Sequence, residues 1–184
     1  MELSWKSVQE VHNLHNIHFN EYFKNIGIPF INILKKLGIK KDLKKIKKTY
    51  QSKSIEEINK IKFFKNTITT LKYLKKNYIL NILTSKDSIR TKKFLNTHLN
   101  LFTIIECDNE RTKGKPHPNK INKIIKKLKC NKSDCIYVGD THIDYKTSKN
   151  SRIDFIYAQW GYGKNFNYKY KCKDIKDLRN LLIN

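Results

Sequence analysis

The spacing of apolar residues along the chain changes near residue 62. Up to that point, apolar side chains recur every three or four positions, which is the spacing of one buried helix face. Two such series are Phe19, Tyr22, Phe23 and Ile26 before Gly27, and the run 30–37 before Gly38. Ser54 and Glu57 have capping-box spacing and predict a further helix over 55–61. Residues 1–62 are therefore predicted to form a small, entirely helical domain.

Beyond residue 63, segments with helical spacing alternate with short apolar runs. Helices are predicted over 68–76, 87–96 and 119–129, and near the C-terminus around Ile175, Leu178, Leu181 and Leu182. Strands are predicted over 78–83, 102–106, 135–138 and 154–158. Alternation of helix and strand is typical of an α/β fold in which helices cover both faces of a parallel sheet. Residues 63–184 are predicted to form this second domain.

Composition limits what such a chain can be. With 184 residues and 39% hydrophobic content, it can bury one substantial core. No apolar run approaches the roughly 20 residues of a membrane-spanning helix, and the first residues lack the basic start and apolar middle of a signal peptide. These features predict a cytoplasmic protein with no membrane partner. The four cysteines include no Cys-x-x-Cys pair and are predicted to be reduced thiols.

The net charge of +23 raises the question of a nucleic-acid partner. Only four of the 39 basic residues are arginines, the side chain preferred for bidentate phosphate and base contacts. The lysines are spread over the whole chain, and in the predicted helix 119–129 they occupy the positions left by one apolar face. We expect these lysines to be solvated. A specific nucleic-acid partner is therefore not expected, and a charge-driven nucleic-acid role is kept as a third alternative.

A carboxylate pair follows the predicted strand 135–138. Gly139 allows the backbone to turn sharply out of the strand, and Asp140 and Asp144 come next, four residues apart. Ligands bind at the carboxyl edge of open α/β sheets, and two carboxylates there can face a hard cation such as Mg²⁺. The alternative is that an Asp or Thr of this segment only caps the following helix.

A second polar segment, Thr84-Ser85-Lys86, follows the predicted strand 78–83. Hydroxyl groups and free backbone N–H groups at the start of a helix can bind an anion. Thr84 is the natural hydrogen-bond donor to a phosphate here. The alternative is that Ser85 or Asp87 caps the helix that follows.

The third segment is Lys115-Pro116-His117-Pro118, which precedes the predicted helix 119–129. Two prolines are expected to hold the segment extended and stiff, which would fix the direction of Lys115. A lysine aimed in this way can neutralise a transferring phosphoryl group. The alternative is a proline-bounded loop in which Lys115 is solvated.

Taken in order, Thr84, Lys115-Pro116-x-Pro118 and Gly139-Asp140 with Asp144 resemble the second, third and fourth motifs of the haloacid dehalogenase-like phosphohydrolases. Residues 4–61 resemble the small helical cap of the phosphoglycolate phosphatase-like branch, and residues 159–163 resemble its exit loop. The resemblance implies a three-layer α/β/α Rossmann-like parallel sheet. It also implies that Thr84, Ser85 and Lys115 bind phosphate, that Thr84 and Lys115 take part in catalysis, and that Asp140 and Asp144 hold Mg²⁺.

The nucleophile motif of that family is missing from this sequence. The family carries Asp-x-Asp-Gly at the end of its first strand, and no Asp-x-Asp occurs anywhere here. The nearest segment, Asp108-Asn109-Glu110, follows a different predicted strand and lacks the glycine, so the role is not transferred to it. The motif-bearing strand would lie between the strands ending at Thr84 and Gly139. We therefore predict a gap or a direct pairing there, and we hypothesise that the start of the sequence is truncated or misassigned.

Three functions remain open from the sequence. The first is a Mg²⁺-dependent phosphatase for a small phosphorylated substrate, such as phosphoglycolate or a sugar phosphate, with its nucleophile absent from this chain. The second is a noncatalytic relative that binds phosphate and metal. The third is the charge-driven nucleic-acid-associated protein.

Overall fold

The computed structural model describes residues 1–109, 111–163 and 167–183. Within them the α-helices are α1 (Glu2–His12), α2 (Phe19–Phe23), α3 (Phe30–Lys36), α4 (Leu43–Glu56), α5 (Thr67–Leu74), α6 (Ser88–Leu95), α7 (Asn119–Leu128), α8 (His142–Ser151) and α9 (Leu178–Ile183). The strands are β1 (Asn81–Leu83), β2 (Ile104–Glu106), β3 (Ile136–Gly139), β4 (Asp154–Ala158) and β5 (Lys171–Cys172). The predicted mixed α/β fold is confirmed, and β5 is a strand that the apolar pattern did not predict.

The helical region, residues 1–60, encloses an aromatic core. Trp5 lies at its centre, stacked on Tyr22 at 4.7 Å between ring centroids, and its Nε1 donates to the Ile17 carbonyl at 3.0 Å. We call the buried set here the first core cluster; its members are Trp5, Val8, Ile17, Tyr22, Ile28, Phe30, Ile33, Leu34, Ile39, Ile46 and Tyr50. The prediction that this part of the chain contains only helices is confirmed.

The helix predicted over 55–61 is wrong. Helix α4 instead runs through Ser54, and residues Ile58–Lys60 form a short 3₁₀ turn. Leu43, Ile46 and Tyr50 recur at intervals of three and four residues and give α4 an apolar side, but the lysines between them obscure this pattern. The Ser54 hydroxyl accepts a hydrogen bond from Arg90 Nη1 at 3.3 Å rather than capping a helix.

The sheet of the α/β region is divided in two. Strand β1 pairs in parallel with β2, while β3, β4 and β5 form a second parallel sheet in that order. A second core cluster lies beneath both parts; its fully buried members are Leu74, Ile156, Cys172, Ile175 and Leu178, and Leu80 and Val138 pack against it. Because residues next to β1 and in β3 share this cluster, the two sheets are neighbours within one fold.

The predicted gap between β1 and β3 is confirmed within the residues that the structure describes, where these strands share no hydrogen bond. The Thr84 N–H donates to the Glu106 carbonyl at 3.0 Å, toward β2. Since successive strand residues direct their N–H groups to opposite edges, the N–H of Leu83 faces away from β2, toward the gap. Neither β1 nor β3 contains a fully buried residue, and Ile136 at the start of β3 is 44% exposed.

Two further expectations are corrected by burial. The predicted strand 78–83 is shorter than expected, because only its last three residues pair with β2 and Ile79 is exposed. Lys120 of α7 is buried rather than solvated: its Nζ donates to the Cys107 carbonyl at 2.7 Å and lies 3.5 Å from Asp108 Oδ1. The other lysines of this helix are exposed, as predicted.

All four cysteines are free thiols, as predicted. Among the described residues, the structure contains no helix with the length and apolar character needed to cross a membrane.

Candidate active site

The segments that follow β1 and β3 meet at one edge of the divided sheet. Gly27, in the turn between α2 and α3, contacts both the segment after β1 and the segment after β3. Its carbonyl accepts a hydrogen bond from Ser85 Oγ at 2.7 Å. A Cβ placed on Gly27 would lie 3.1 Å from Thr141 Oγ1. The structure therefore brings the Thr84 and Asp140 segments together under a turn of the helical region.

Lys115 and Asp144 form a buried ion pair at this edge. The Lys115 Nζ lies 2.6 Å from Asp144 Oδ1, and the two side chains are 10% and 4% exposed. Tyr137 donates its hydroxyl to the same oxygen at 2.9 Å. Lys115 follows β2 in the chain whereas Asp144 belongs to α8 after β3, so this pair links the two parts of the divided sheet.

The ion pair stabilises the charged forms of both groups. Burial alone would raise the pKa of Asp144, but the charge and hydrogen bond of Lys115 lower it below its ordinary value, with help from Thr141 and Tyr137. Burial alone would lower the pKa of Lys115, and the groups of Tyr137 and Asp144 raise it above its ordinary value instead. Lys115 is therefore a cation and Asp144 an anion at neutral pH.

Both oxygens of Asp144 accept hydrogen bonds from the protein. Oδ1 is held by Lys115 and Tyr137, and Oδ2 accepts from the Thr141 backbone N–H at 3.1 Å and from its hydroxyl at 2.7 Å. Thr141 in turn caps α8 by accepting from the Asp144 N–H. The helix-cap alternative is thus observed for Thr141, and it coexists with the ion pair.

Gly139 is required by the position of Asp144. A Cβ on Gly139 would lie 2.7 Å from Asp144 Cγ, closer than real Cβ contacts come. Because Asp144 is held by three partners, it cannot move aside. The glycine that ends β3 therefore allows the Lys115–Asp144 pair to form directly beneath it.

The oxygens of Asp140 accept fewer hydrogen bonds than those of Asp144. Its Oδ2 accepts from the Tyr162 backbone N–H at 2.7 Å, and Oδ1 has no hydrogen-bond donor among the described residues. Mg²⁺ in proteins keeps several waters and uses one or two carboxylates, so Asp140 fits as a ligand. The described residues contain no group of three or more His, Cys, Asp or Glu side chains that could hold a metal ion.

The Thr84 segment has part of the arrangement that an anion site requires. Thr84 Oγ1 accepts from the Lys86 backbone N–H at 3.1 Å, which leaves the hydroxyl proton available to a ligand. Ser85 instead donates its hydroxyl to Gly27, as described above. Asp87 caps α6 by accepting from the Arg90 N–H at 3.0 Å, so the cap alternative holds for Asp87 and not for Ser85.

The segment around Lys115 is a turn, not the extended chain that two prolines were expected to impose. The His117 N–H donates to the Gly114 carbonyl at 3.0 Å, and the Lys115–Pro116 peptide bond is cis. The direction of Lys115 is set by Asp144 and Tyr137. The alternative of a solvated lysine is wrong, since the side chain is buried.

Sequence reasoning gives no role at this edge to Tyr137 or to the side chain of Lys86. The sequence predicts Tyr137 only as part of an apolar strand, and the partner of its hydroxyl cannot be assigned without the sheet. Lys86 keeps access to solvent, although many protein groups surround it. Desolvation by these groups is the main cause that lowers the pKa of Lys86, and the positive charges of Arg90 and Lys115 lower it further. The cap at Thr141 is one of the alternatives that the sequence offers, and Thr-x-x-Asp before a helix is close to capping-box spacing.

The sequence of the chain matches a known family. Haloacid dehalogenase-like hydrolases match the chain over residues 2–158, so the chain belongs to that family. Its similarity to the pyrophosphatase PpaX of Oceanobacillus iheyensis is 25% identity over 174 residues, covering 89% of this chain and 81% of the relative.

Solved structures show the same fold. A haloacid dehalogenase-like hydrolase from Bacteroides fragilis has a TM-score of 0.86 at 24% identity, covering 95% of this chain and 89% of that one. A protein named as a phosphoglycolate phosphatase from Lactobacillus plantarum has a TM-score of 0.84 at 16% identity, covering 96% and 89%. The Rossmann-like α/β fold that the motifs implied is therefore confirmed.

Proposed function

We propose that this chain holds the phosphate and the Mg²⁺ of a phosphatase that hydrolyses a small phosphorylated metabolite, of the phosphoglycolate or sugar phosphate class, through an aspartyl-phosphate intermediate. The observation that carries this proposal is the buried Lys115–Asp144 pair beside Asp140 at the carboxyl ends of β1 and β3. The names of the relatives, which include a pyrophosphatase and a phosphoglycolate phosphatase, support a phosphate ester or anhydride as substrate.

Lys115 and Thr84 are the groups we assign to the phosphate. An ammonium group has three protons, and Asp144 takes one of them, so others remain to donate to phosphate oxygens. The Thr84 hydroxyl, which already accepts from the Lys86 N–H, donates its own proton. Ser85 becomes a further donor when its bond to the Gly27 carbonyl is exchanged for a phosphate oxygen.

Asp140 is the side chain we assign to Mg²⁺. When bound, the cation offsets charge on the phosphate and lowers its repulsion of an incoming carboxylate. For Asp144, whose two oxygens are already occupied, the contacts favour a supporting role: it holds Lys115 in place and keeps it charged. Residues 1–62 act as the cap over this edge, where Gly27 already closes on Ser85.

The nucleophile is the part we place outside this sequence. A strand carrying Asp-x-Asp-Gly and filling the gap between β1 and β3 would bring its carboxylates to the edge where Lys115 and Asp140 lie. The second candidate, a noncatalytic phosphate-binding protein, is favoured by the sequence itself, which contains no Asp-x-Asp.

Phosphate binding by the chain tests the site directly. Isothermal titration with inorganic phosphate in the presence of Mg²⁺ should show binding that Lys115→Met weakens by about tenfold to a hundredfold, since a charged hydrogen-bond donor is lost. Lys126→Met, the same change on the exposed side of α7, should leave affinity unchanged. Equal affinities in all three proteins would contradict the site.

The two candidate functions differ once the coding sequence ahead of Met1 is included. A protein extended by an upstream Asp-x-Asp-Gly segment should hydrolyse phosphoglycolate or p-nitrophenyl phosphate, and changing its first Asp to Asn should abolish turnover. An in-frame stop codon directly ahead of Met1, together with phosphate binding that Lys115→Met removes, would favour the binding protein instead.

A further inference from the structure

The loop formed by residues 159–163, which follow β4, lies directly against Asp140. The Tyr162 backbone N–H donates to Asp140 Oδ2 at 2.7 Å. On either side of Tyr162, Gly161 and Gly163 touch the same residue: a Cβ on Gly161 would collide with the Asp140 side chain, and one on Gly163 with its carbonyl oxygen. The orientation of the Asp140 carboxylate therefore depends on where this loop sits.

The loop is anchored to the sheet at one end. Tyr157, buried in β4, donates its hydroxyl to the Gly163 carbonyl at 3.0 Å. The Tyr162 side chain, in contrast, is more than half exposed and is turned toward the helical region. Its ring meets the ring of Phe23, in α2, edge to face at 5.9 Å between centroids.

The helical region thus contacts both chain segments that flank Asp140. Phe23 contacts the loop that donates to its carboxylate, and Gly27 contacts Thr141, the residue that follows it. Ile143 also packs against the first core cluster. A shift of the helical region relative to the sheet would consequently be transmitted to Asp140 from two sides.

We propose that Phe23 is a positioning residue for Asp140: its ring holds Tyr162 so that the Tyr162 N–H fixes Asp140 Oδ2, which would leave Oδ1 available to a metal ion. The helical region would then tune metal affinity through one aromatic contact. This inference rests on the proposed function, because it takes Asp140 to be the metal ligand. Loss of a partner that orients a ligand typically costs about 10- to 100-fold in metal affinity, and displacing such a partner should cost less.

Mn²⁺ binding to the full chain, followed by the electron paramagnetic resonance signal of free Mn²⁺, tests the proposal without any turnover. Phe23→Leu should weaken binding about threefold, and Phe23→Tyr, which keeps the ring, should restore it. Phe19→Leu is the matched control: Phe19 lies in the same helix and packs on Tyr22 and Phe23. Its loss should leave Mn²⁺ affinity unchanged.

A double-mutant cycle and hydrogen exchange at the Tyr162 amide separate a positioning role of Phe23 from general destabilisation. Tyr162→Ala keeps the backbone donor, so the Phe23→Leu/Tyr162→Ala double variant should bind no more weakly than either single variant. Hydrogen exchange at the Tyr162 amide should accelerate in Phe23→Leu and stay unchanged in Phe19→Leu.

Two results would overturn the inference in distinguishable ways. If Asp140→Asn loses binding while Phe23→Leu keeps wild-type affinity and Tyr162 exchange, only the positioning role fails. If Asp140→Asn binds Mn²⁺ as the wild type does, the metal site itself fails, and the positioning role with it.

Discussion

The helical and α/β regions of this protein bury their apolar residues very differently. The first core cluster contains aromatic rings that stack on one another, with the Trp5 side chain completely buried. Among the strands that the structure describes in the α/β region, only β4 is nearly continuous in its burial, while β1 and β3 have no fully buried residue. Both regions come from one chain of uniform, lysine-rich composition, so composition does not explain the difference.

Backbone hydrogen bonding explains the difference in burial between the two regions. A helix satisfies its backbone groups internally, so a group of helices needs only an apolar face to pack. A strand in a parallel sheet depends on neighbours at both edges, and its two faces are buried only when the sheet is continuous. Because β1 and β3 each lack a partner on the side of the gap, the sheet loses backbone pairing and burial that the helices do not.

The largest expected effect compares the two tryptophans of the chain. Trp5→Ala should lower the free energy of unfolding by about 3 to 5 kcal/mol, because it removes a fully buried ring and its hydrogen bond to Ile17. Trp160→Ala, at a partly buried position beside the second core cluster, should cost about 1 to 2 kcal/mol. Chemical denaturation measures both. Equal losses would contradict the view that the helical region is the better packed one.

The next effect concerns the link across the gap. Lys115→Met leaves the Asp144 carboxylate buried without its cation, and breaking such a pair typically costs about 3 to 5 kcal/mol. Tyr137 and Thr141 still donate to Asp144, so we expect the lower end of that range. Lys126→Met is again the control, with an expected change within about 0.5 kcal/mol. Denaturation that is unaffected by Lys115→Met would show that the pair does not join the two parts of the sheet.

The same contrast explains what could be predicted from sequence. The alternation of helix and strand, the order of the three motifs and the gap all follow from local patterns plus one family resemblance. Two errors arise where lysines mask the apolar face: the sequence does not predict α4, and it predicts a solvated Lys120 where the structure buries it. The hydrogen bond from Tyr137 to Asp144 depends on how the strands and α8 are arranged in space, and a linear pattern does not contain that information.

A smaller effect tests the contact between α4 and α6. Asp87 accepts from the Arg90 side chain and N–H and from Gln51 Nε2, which lies on α4. Burial alone would raise the pKa of Asp87, and the hydrogen bonds and charge of Arg90 lower it below its ordinary value. Asp87→Asn removes the charge and should cost about 1 kcal/mol at pH 7.

The sign of the pH dependence follows from that lowered pKa. The stability contributed by Asp87 is fully present above its unfolded pKa of about 3.9 and is lost as pH falls through the lower folded value. The difference between wild type and Asp87→Asn should therefore vanish in acid. Asp42→Asn, the same change at an exposed residue paired with Lys45, should show little difference at any pH. A stability difference between wild type and Asp87→Asn that does not shrink as pH falls through the folded pKa of Asp87 would rule out the charge as its cause.

The smallest expected effect is local and bears on the gap most directly. The Thr84 N–H is bonded to the Glu106 carbonyl, whereas the N–H of Leu83 faces the unpaired edge of β1. Hydrogen exchange should therefore be faster at Leu83 than at Thr84 by about the factor that one net backbone hydrogen bond supplies, roughly tenfold. In a protein extended by a strand that fills the gap, Leu83 should become as protected as Thr84 while Thr84 changes little. Protection of Leu83 in the present chain would mean that the edge of β1 is already paired, and the difference between the two regions would then lie in side-chain packing alone.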